Sequence, residues 1–114
     1  MFTLYGIRNC YTVKKARRWL DDHQVEYRYH DLRSDGLTAA MLDDWIQELG
    51  WENLLNRRGT TWRRLPEAQR SNLDTSAAKA IMLQYPAIIR RPILDLGTTR
   101  TLGFSAARFA ALFS

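Results

Sequence analysis

Phe2-Thr3-Leu4-Tyr5-Gly6-Ile7-Arg8-Asn9-Cys10-Tyr11-Thr12-Val13-Lys14-Lys15-Ala16-Arg17-Arg18-Trp19-Leu20 opens as a strand and closes as a helix. Phe2 to Tyr5 is a short apolar, β-prone run, and Gly6 breaks it. From Tyr11 the apolar spacing shifts to Val13, Ala16 and Leu20, a single helical stripe. Cys10 therefore falls in the strand-to-helix turn, at or just before the helix N-terminus. Unpaired backbone N–H groups and the positive end of the helix dipole favour an anion there. Lys14, Lys15, Arg17 and Arg18 follow closely and add positive potential. Cysteines in such fields titrate at roughly 3.5–7.5 instead of about 8.5, so a reactive thiolate is expected at Cys10. The competing expectation is plainer: a lone cysteine is most often a small buried hydrophobe.

Beyond Leu20, Asp21-Asp22-His23-Gln24 reads as a helix end and turn. Val25 to Leu32 then alternates apolar and polar residues, which predicts a strand. Strand, helix and strand in so short a span make a βαβ unit, with parallel strands and a right-handed crossover. Ser34-Asp35-Gly36 is a turn. Thr38 suits a helix N-cap, Met41, Leu42, Trp45, Ile46 and Leu49 mark one helical face, and Gly50 ends it. Trp51 to Leu55 predicts a short helix, Asn56 to Trp62 a polar loop, and Leu65 to Arg70 a helical turn after Pro66. A longer helix is predicted from about Asp74, its cap, to Gln84, with Ala77, Ala80, Ile81 and Leu83 inward. Pro86 stops it. Ile93 to Leu96 and Arg100 to Gly103 form a hairpin about Gly97-Thr98-Thr99, and Ser105 caps a last helix that turns Phe109, Leu112 and Phe113 to the core. The helices of residues 37–84 read as an insertion within one domain spanning 1–114.

The 114 residues carry a formal charge of +5, with 46% apolar and 25% charged residues, ordinary for a globular domain. No apolar run approaches the roughly 18 residues that span a bilayer, and no secretory signal is legible. One cysteine allows no internal disulfide. These features together point to the reducing cytosol and to no membrane partner. Arg57-Arg58, Arg63-Arg64 and Arg90-Arg91 recur near turns, which favours small anions as partners. No helix-turn-helix, zinc-finger or aromatic-repeat motif argues for direct nucleic-acid binding. His23 and His30 read as surface residues, and too few Cys and His lie at close spacing for a metal site. Asp21-Asp22 and Asp43-Asp44 read as solvated helix residues. The four tryptophans, Trp19, Trp45, Trp51 and Trp62, read as packing residues, with Trp62 near enough to Thr60-Thr61 to border a site.

The order β-α-β, helices, β-β-α behind a leading cysteine turn is the plan of an α/β, thioredoxin-like fold: a four-stranded mixed sheet with a helical insertion. The sequence resembles the ArsC/Spx superfamily, and within it the YffB-type branch. The marks are Tyr5 to Ala16, Asp35-Gly36-Leu37, Leu49-Gly50-Trp51, Leu54-Leu55-Asn56, Arg58 to Arg63, Arg91-Pro92-Ile93 and Leu102-Gly103-Phe104. The resemblance implies that Cys10 is the catalytic thiolate. It implies that Arg91 helps hold an oxyanion and that Pro92 is a cis-proline beside the cysteine. Arg58, or Arg57 one residue away, matches a further arginine. The sequence departs from the arsenate reductases at Gly6, where they carry histidine, at Val13-Lys14 in place of Ser-Arg, and at Phe104 in place of arginine. The Spx proteins, which bind RNA polymerase, typically carry Cys-x-x-Cys, whereas Cys10-Tyr11-Thr12-Val13 has one thiol.

A single thiolate attacks a disulfide but cannot resolve its own mixed disulfide. The second thiol must come from solution, and glutathione is the abundant one in the cytosol. Its carboxylates suit Arg91 and Arg58. The expected activity is therefore that of a glutathione-dependent thiol oxidoreductase with no bound cofactor. Cys10 is its nucleophile, Thr12 a cap and thiolate donor, and Asn9, Thr12, Arg91, Pro92 and Arg58 line the substrate. A glutaredoxin is a possible recycling partner. The alternatives are a non-enzymatic module that docks the RNA polymerase α subunit, and a true arsenate reductase, which the missing arginine at Phe104 disfavours.

Overall fold

The computed structural model describes residues 1–114. β1 (Phe2–Gly6) and β2 (Tyr27–Asp31) pair in parallel, from Phe2 with Tyr27 to Gly6 with Asp31, across the crossover helix α1 (Tyr11–Asp22). β2 is shorter than the alternation over 25–32 implied. Val25 belongs to the turn instead, its N–H bonded to the Leu20 carbonyl at 2.9 Å, just after Gln24 at φ 57°. β3 (Ile93–Asp95) runs antiparallel to β1, and β4 (Arg100–Leu102) antiparallel to β3, giving the order β2-β1-β3-β4. This is the mixed four-stranded sheet of the thioredoxin-like plan.

The chain divides into two compact units, one built from Met1–Asp35 and Arg91–Ser114, the other from Gly36–Arg90. In the first, Leu4 and Leu94 are register partners and so share a sheet face. There they meet Ala16 and Leu20 of α1 and Phe109 of the last helix, α7 (Ala106–Leu112). Phe109 is fully buried and takes edge-on contacts from Trp19 at 5.6 Å and Phe104 at 4.8 Å between ring centres. Burying such a side chain contributes about 1.5–3 kcal/mol. As expected, Ser105 caps α7, its Oγ accepting the Arg108 N–H at 3.1 Å. The Arg108 guanidinium reaches back to the Leu102 carbonyl.

The second unit is helical. Thr38 caps α2 (Ala39–Leu49) by accepting the Met41 N–H at 3.1 Å, and Gly50 ends it at φ 86°, where a side chain would be strained. Leu42 and Trp45 face inward. α3 (Trp51–Leu54) follows, and the turn after it holds the Arg58 N–H on Asn56 Oδ1 at 3.0 Å. The predicted loop over 56–62 is shorter than read, because α4 (Thr60–Arg64) begins within it. The Gly59 carbonyl takes the Arg63 N–H there, and the Arg63 guanidinium donates to the Arg58 carbonyl. α5 (Glu67–Arg70) follows Pro66, and α6 (Thr75–Gln84) is capped by Asp74, whose Oδ1 accepts the Ala77 N–H at 2.8 Å.

The inward face of α6 differs from the predicted one. Ala78, Ile81 and Met82 are buried, Ala77 is half-buried, and Ala80 and Leu83 are exposed. Alanines bury little area, so the larger Ile81 and Met82 set the face. A 3-10 turn at Pro86–Ile88 follows, and Leu54 and Asn56 bond to Arg90 and Ile88 through the backbone. No helix is long and apolar enough to cross a membrane.

Candidate functional site

Cys10 is the N-cap of α1, with extended backbone (φ −93°, ψ 122°) and its carbonyl on the Lys14 N–H at 2.9 Å. Its side chain accepts no capping bond, and α1 has no acidic residue in its first turn. Cys10 is half-buried. Thr12 does not cap, because the helix starts at Tyr11 and leaves Thr12 inside its first turn, half-buried. Asn9 turns the chain into the helix from the left-handed region, φ 69°, a conformation asparagine tolerates. Gly6 has a packing role: a Cβ there would lie 2.8 and 2.9 Å from the two γ-methyls of Val13. The absence of a side chain lets α1 close onto the end of β1.

One residue that the sequence reading passed over fixes the cysteine turn. Asp31, at the end of β2, is 6% exposed. Its Oδ2 accepts the Arg8 N–H at 2.8 Å, two residues before Cys10. Its Oδ1 accepts the Arg33 and Ser34 N–H groups at 2.8 and 3.0 Å. Burial pushes the carboxyl up, but the N–H bonds from Ser34, Arg33 and Arg8 outweigh it and hold Asp31 below its ordinary value. Tyr29 donates its hydroxyl to the same carboxylate at 3.5 Å.

On the other side of β1, the Arg91–Pro92 bond is cis, as the resemblance implied. Pro92 is buried and its carbonyl accepts the Gly103 N–H at 2.8 Å, while Arg91 is half-buried. Ile93 pairs with Tyr5, so the next antiparallel position sets Pro92 opposite Gly6. Arg91 and Pro92 thus lie at the end of the sheet from which the cysteine turn departs. Arg58 is exposed in the second unit, and the Arg57 guanidinium lies 5.9 and 5.7 Å from the ring centres of Trp51 and Trp62. Phe104 serves the core through its contact with Phe109. His23 stacks on Trp19 at 3.7 Å. His30 is half-buried, with its ring 5.0 Å from that of Tyr5, its register partner on β1. No three His, Cys, Asp or Glu side chains converge as metal ligands.

The ArsC family model matches residues 5–112. The chain belongs to the ArsC family. An uncharacterized protein of Haemophilus influenzae is 41% identical to this ArsC-family chain over 114 residues, the whole of both. The global transcriptional regulator Spx of Streptococcus pneumoniae is 26% identical over 107 residues, covering 92% of this chain and 80% of Spx. Among solved structures, the YFFB protein superposes with a TM-score of 0.95 at 45% identity over both full chains. An arsenate reductase (ArsC) related protein from Brucella melitensis gives 0.81 at 46% identity, covering 99% and 94%.

Proposed function

We propose that this ArsC-family chain is a glutathione-dependent thiol oxidoreductase with Cys10 as its nucleophile. The observation that carries the reading is a half-buried thiol at an N-cap whose side chain makes no capping bond, ahead of a helix turn without carboxylates. The N–H groups that open a helix favour an anion at that place. The Cys10 thiolate attacks the glutathione sulfur of a mixed disulfide R–S–S–G. The S–S bond breaks, R–S⁻ leaves and takes a proton from water, and Cys10–S–S–G forms. A glutathione thiolate then attacks the glutathione sulfur of that adduct, releasing glutathione disulfide and restoring the Cys10 thiolate. The outside thiol is required because the chain has one cysteine.

Arg91 anchors a substrate carboxylate, Pro92 presents backbone beside the sulfur, and Asn9 and Thr12 flank it. Arg58 is the second guanidinium that the family pattern supplies, and a glutaredoxin serves as the alternative reductant. The chemistry suits a glutathione-rich compartment such as the cytosol. Replacing Cys10 with serine is expected to abolish reduction of a glutathione mixed disulfide. Unchanged turnover in that variant would refute the reading. The Spx relatives favour a second one, a module that docks the RNA polymerase α subunit. Wild-type protein that captures that subunit, is indifferent to Cys10→Ser and shows no turnover would establish it instead.

A further inference from the structure

A cavity of about 350 Å³ opens between the N-terminal half of α1 and the end of β2. Its lining includes the cations Arg8, Lys14 and Arg17, the carboxylates Asp31 and Asp35, and Tyr29. Arg17 is held in place. Its Nε donates to the Tyr27 hydroxyl at 3.1 Å, and its guanidinium carbon lies 4.0 Å from the centre of the Tyr29 ring. One edge and one face of the guanidinium are thereby used, and its terminal NH₂ groups stay available for a pair of parallel N–H···O bonds. Two ion pairs, Lys79–Asp43 and Arg100–Asp95, use other cations. The two carboxylates are occupied differently: Asp31 by backbone N–H groups of Arg8, Arg33 and Ser34, and Asp35 by the Asp31 N–H at 2.9 Å. Both carboxylates keep their charge but have N–H donors of their own, so the Arg17 guanidinium and the Lys14 ammonium are the groups left to meet an anionic ligand.

Cys10 does not itself line the cavity, but Val13, Lys14 and Arg17 follow it by three, four and seven positions, so the cavity runs along the face of α1 that begins at Cys10. Arg8, Asn9, Val13 and Lys14 line it from either side of Cys10 in the chain. Burial pushes the Tyr29 phenol up, Asp31 adds to the rise, Arg17 opposes it, and Cys10 contributes a smaller rise. Tyr29 therefore senses both the sulfur and the clamped guanidinium.

We propose that this cavity is a carboxylate subsite for the peptide-like partner of Cys10, with Arg17 and Lys14 as its anion ligands. The assignment rests on the thiol-exchange reading above and adds a second anchor on the β2 side of β1, whereas Arg91 precedes β3 on the other side of that strand. The test compares second-order rates of Cys10 attack on two disulfides, followed by mass spectrometry of the adduct. Glutathione disulfide carries carboxylates, and bis(2-hydroxyethyl) disulfide carries none. Arg17→Gln is expected to lower the ratio of the two rates about tenfold, the size of one charge-assisted bond. Lys14→Gln is expected to lower it less. Arg18→Gln removes the same charge from an exposed neighbour that does not line the cavity, and is expected to leave the ratio within twofold. An unchanged ratio in Arg17→Gln, or an equal fall in Arg18→Gln, overturns the subsite and leaves the exchange reading standing. Wild-type protein inert to both disulfides overturns the exchange reading and the subsite with it.

Discussion

Asn in place of Asp31 changes one oxygen into an amide and removes a buried charge. The carboxylate accepts the Arg33 and Ser34 N–H groups on Oδ1 and the Arg8 N–H and Tyr29 hydroxyl on Oδ2. In Asp31→Asn the remaining oxygen is best kept on the Oδ1 pair, which turns the NH₂ against the Arg8 N–H. That loses a bond to a charged acceptor, worth about 1.5–3 kcal/mol. It also loosens the turn two residues before the thiol. The expected cost is about 2 kcal/mol for Asp31→Asn and about 3 kcal/mol for Asp31→Ala, where water reaches the exposed Arg33 and Ser34 and limits the loss. Urea unfolding at pH 7 measures both. The pH dependence is an independent check. The folded carboxyl sits below its ordinary value, so the stability it contributes is present above the unfolded value and is lost as pH falls through the folded one. The gap between wild type and Asp31→Asn is therefore expected to narrow in acid below the usual carboxylate range. A variant within about 0.5 kcal/mol of wild type at pH 7, a margin ordinary for surface changes, would refute the argument. So would a gap that does not narrow with acid.

Gly6→Ala is expected to destabilise by about 1–3 kcal/mol, since its Cβ would press on both Val13 γ-methyls. Adding Val13→Ala should remove the clash, so a double-mutant cycle in urea is expected to show strong positive coupling. Phe109→Ala is expected to cost about 3–5 kcal/mol in the same measurement, because the ring is fully buried at the meeting point of Trp19, Phe104 and Phe113. A loss below about 1 kcal/mol would mean that this cluster does not hold the first unit together.

Features encoded locally were legible in the sequence. The caps Thr38, Asp74 and Ser105 are side chains that bond three residues ahead, and each accepts the N–H expected of it. The βαβ unit and the place of Cys10 followed from a change of period within a few residues. Features resting on distant partners were hidden. Asp31 looks like one more polar residue in an alternating run, and its role appears only when the fold brings it to Arg8, 23 positions away. Arg17 looks like one of several basic residues on a helix until β2 supplies Tyr27 and Tyr29 beneath it. α4 was missed because it opens with Gly59, Thr60 and Thr61, a glycine and two β-branched residues that read as loop, with no capping side chain to mark its start. The cis bond before Pro92 was reachable through family resemblance alone.

The first unit is assembled from segments separated by the whole helical unit, Gly36–Arg90. As the chain leaves the ribosome, β1 acquires β2 early, yet the hydrogen-bonding edge that β3 will fill stays open until residue 95 has emerged. Leu4 and Leu20 wait for Leu94 over the same interval and for Phe109 longer still. At translation speeds of about 5–20 residues per second that wait lasts seconds. A nascent chain stalled before Arg91 would display a bare strand edge beside a basic helix, and is the form of this protein most in need of a chaperone.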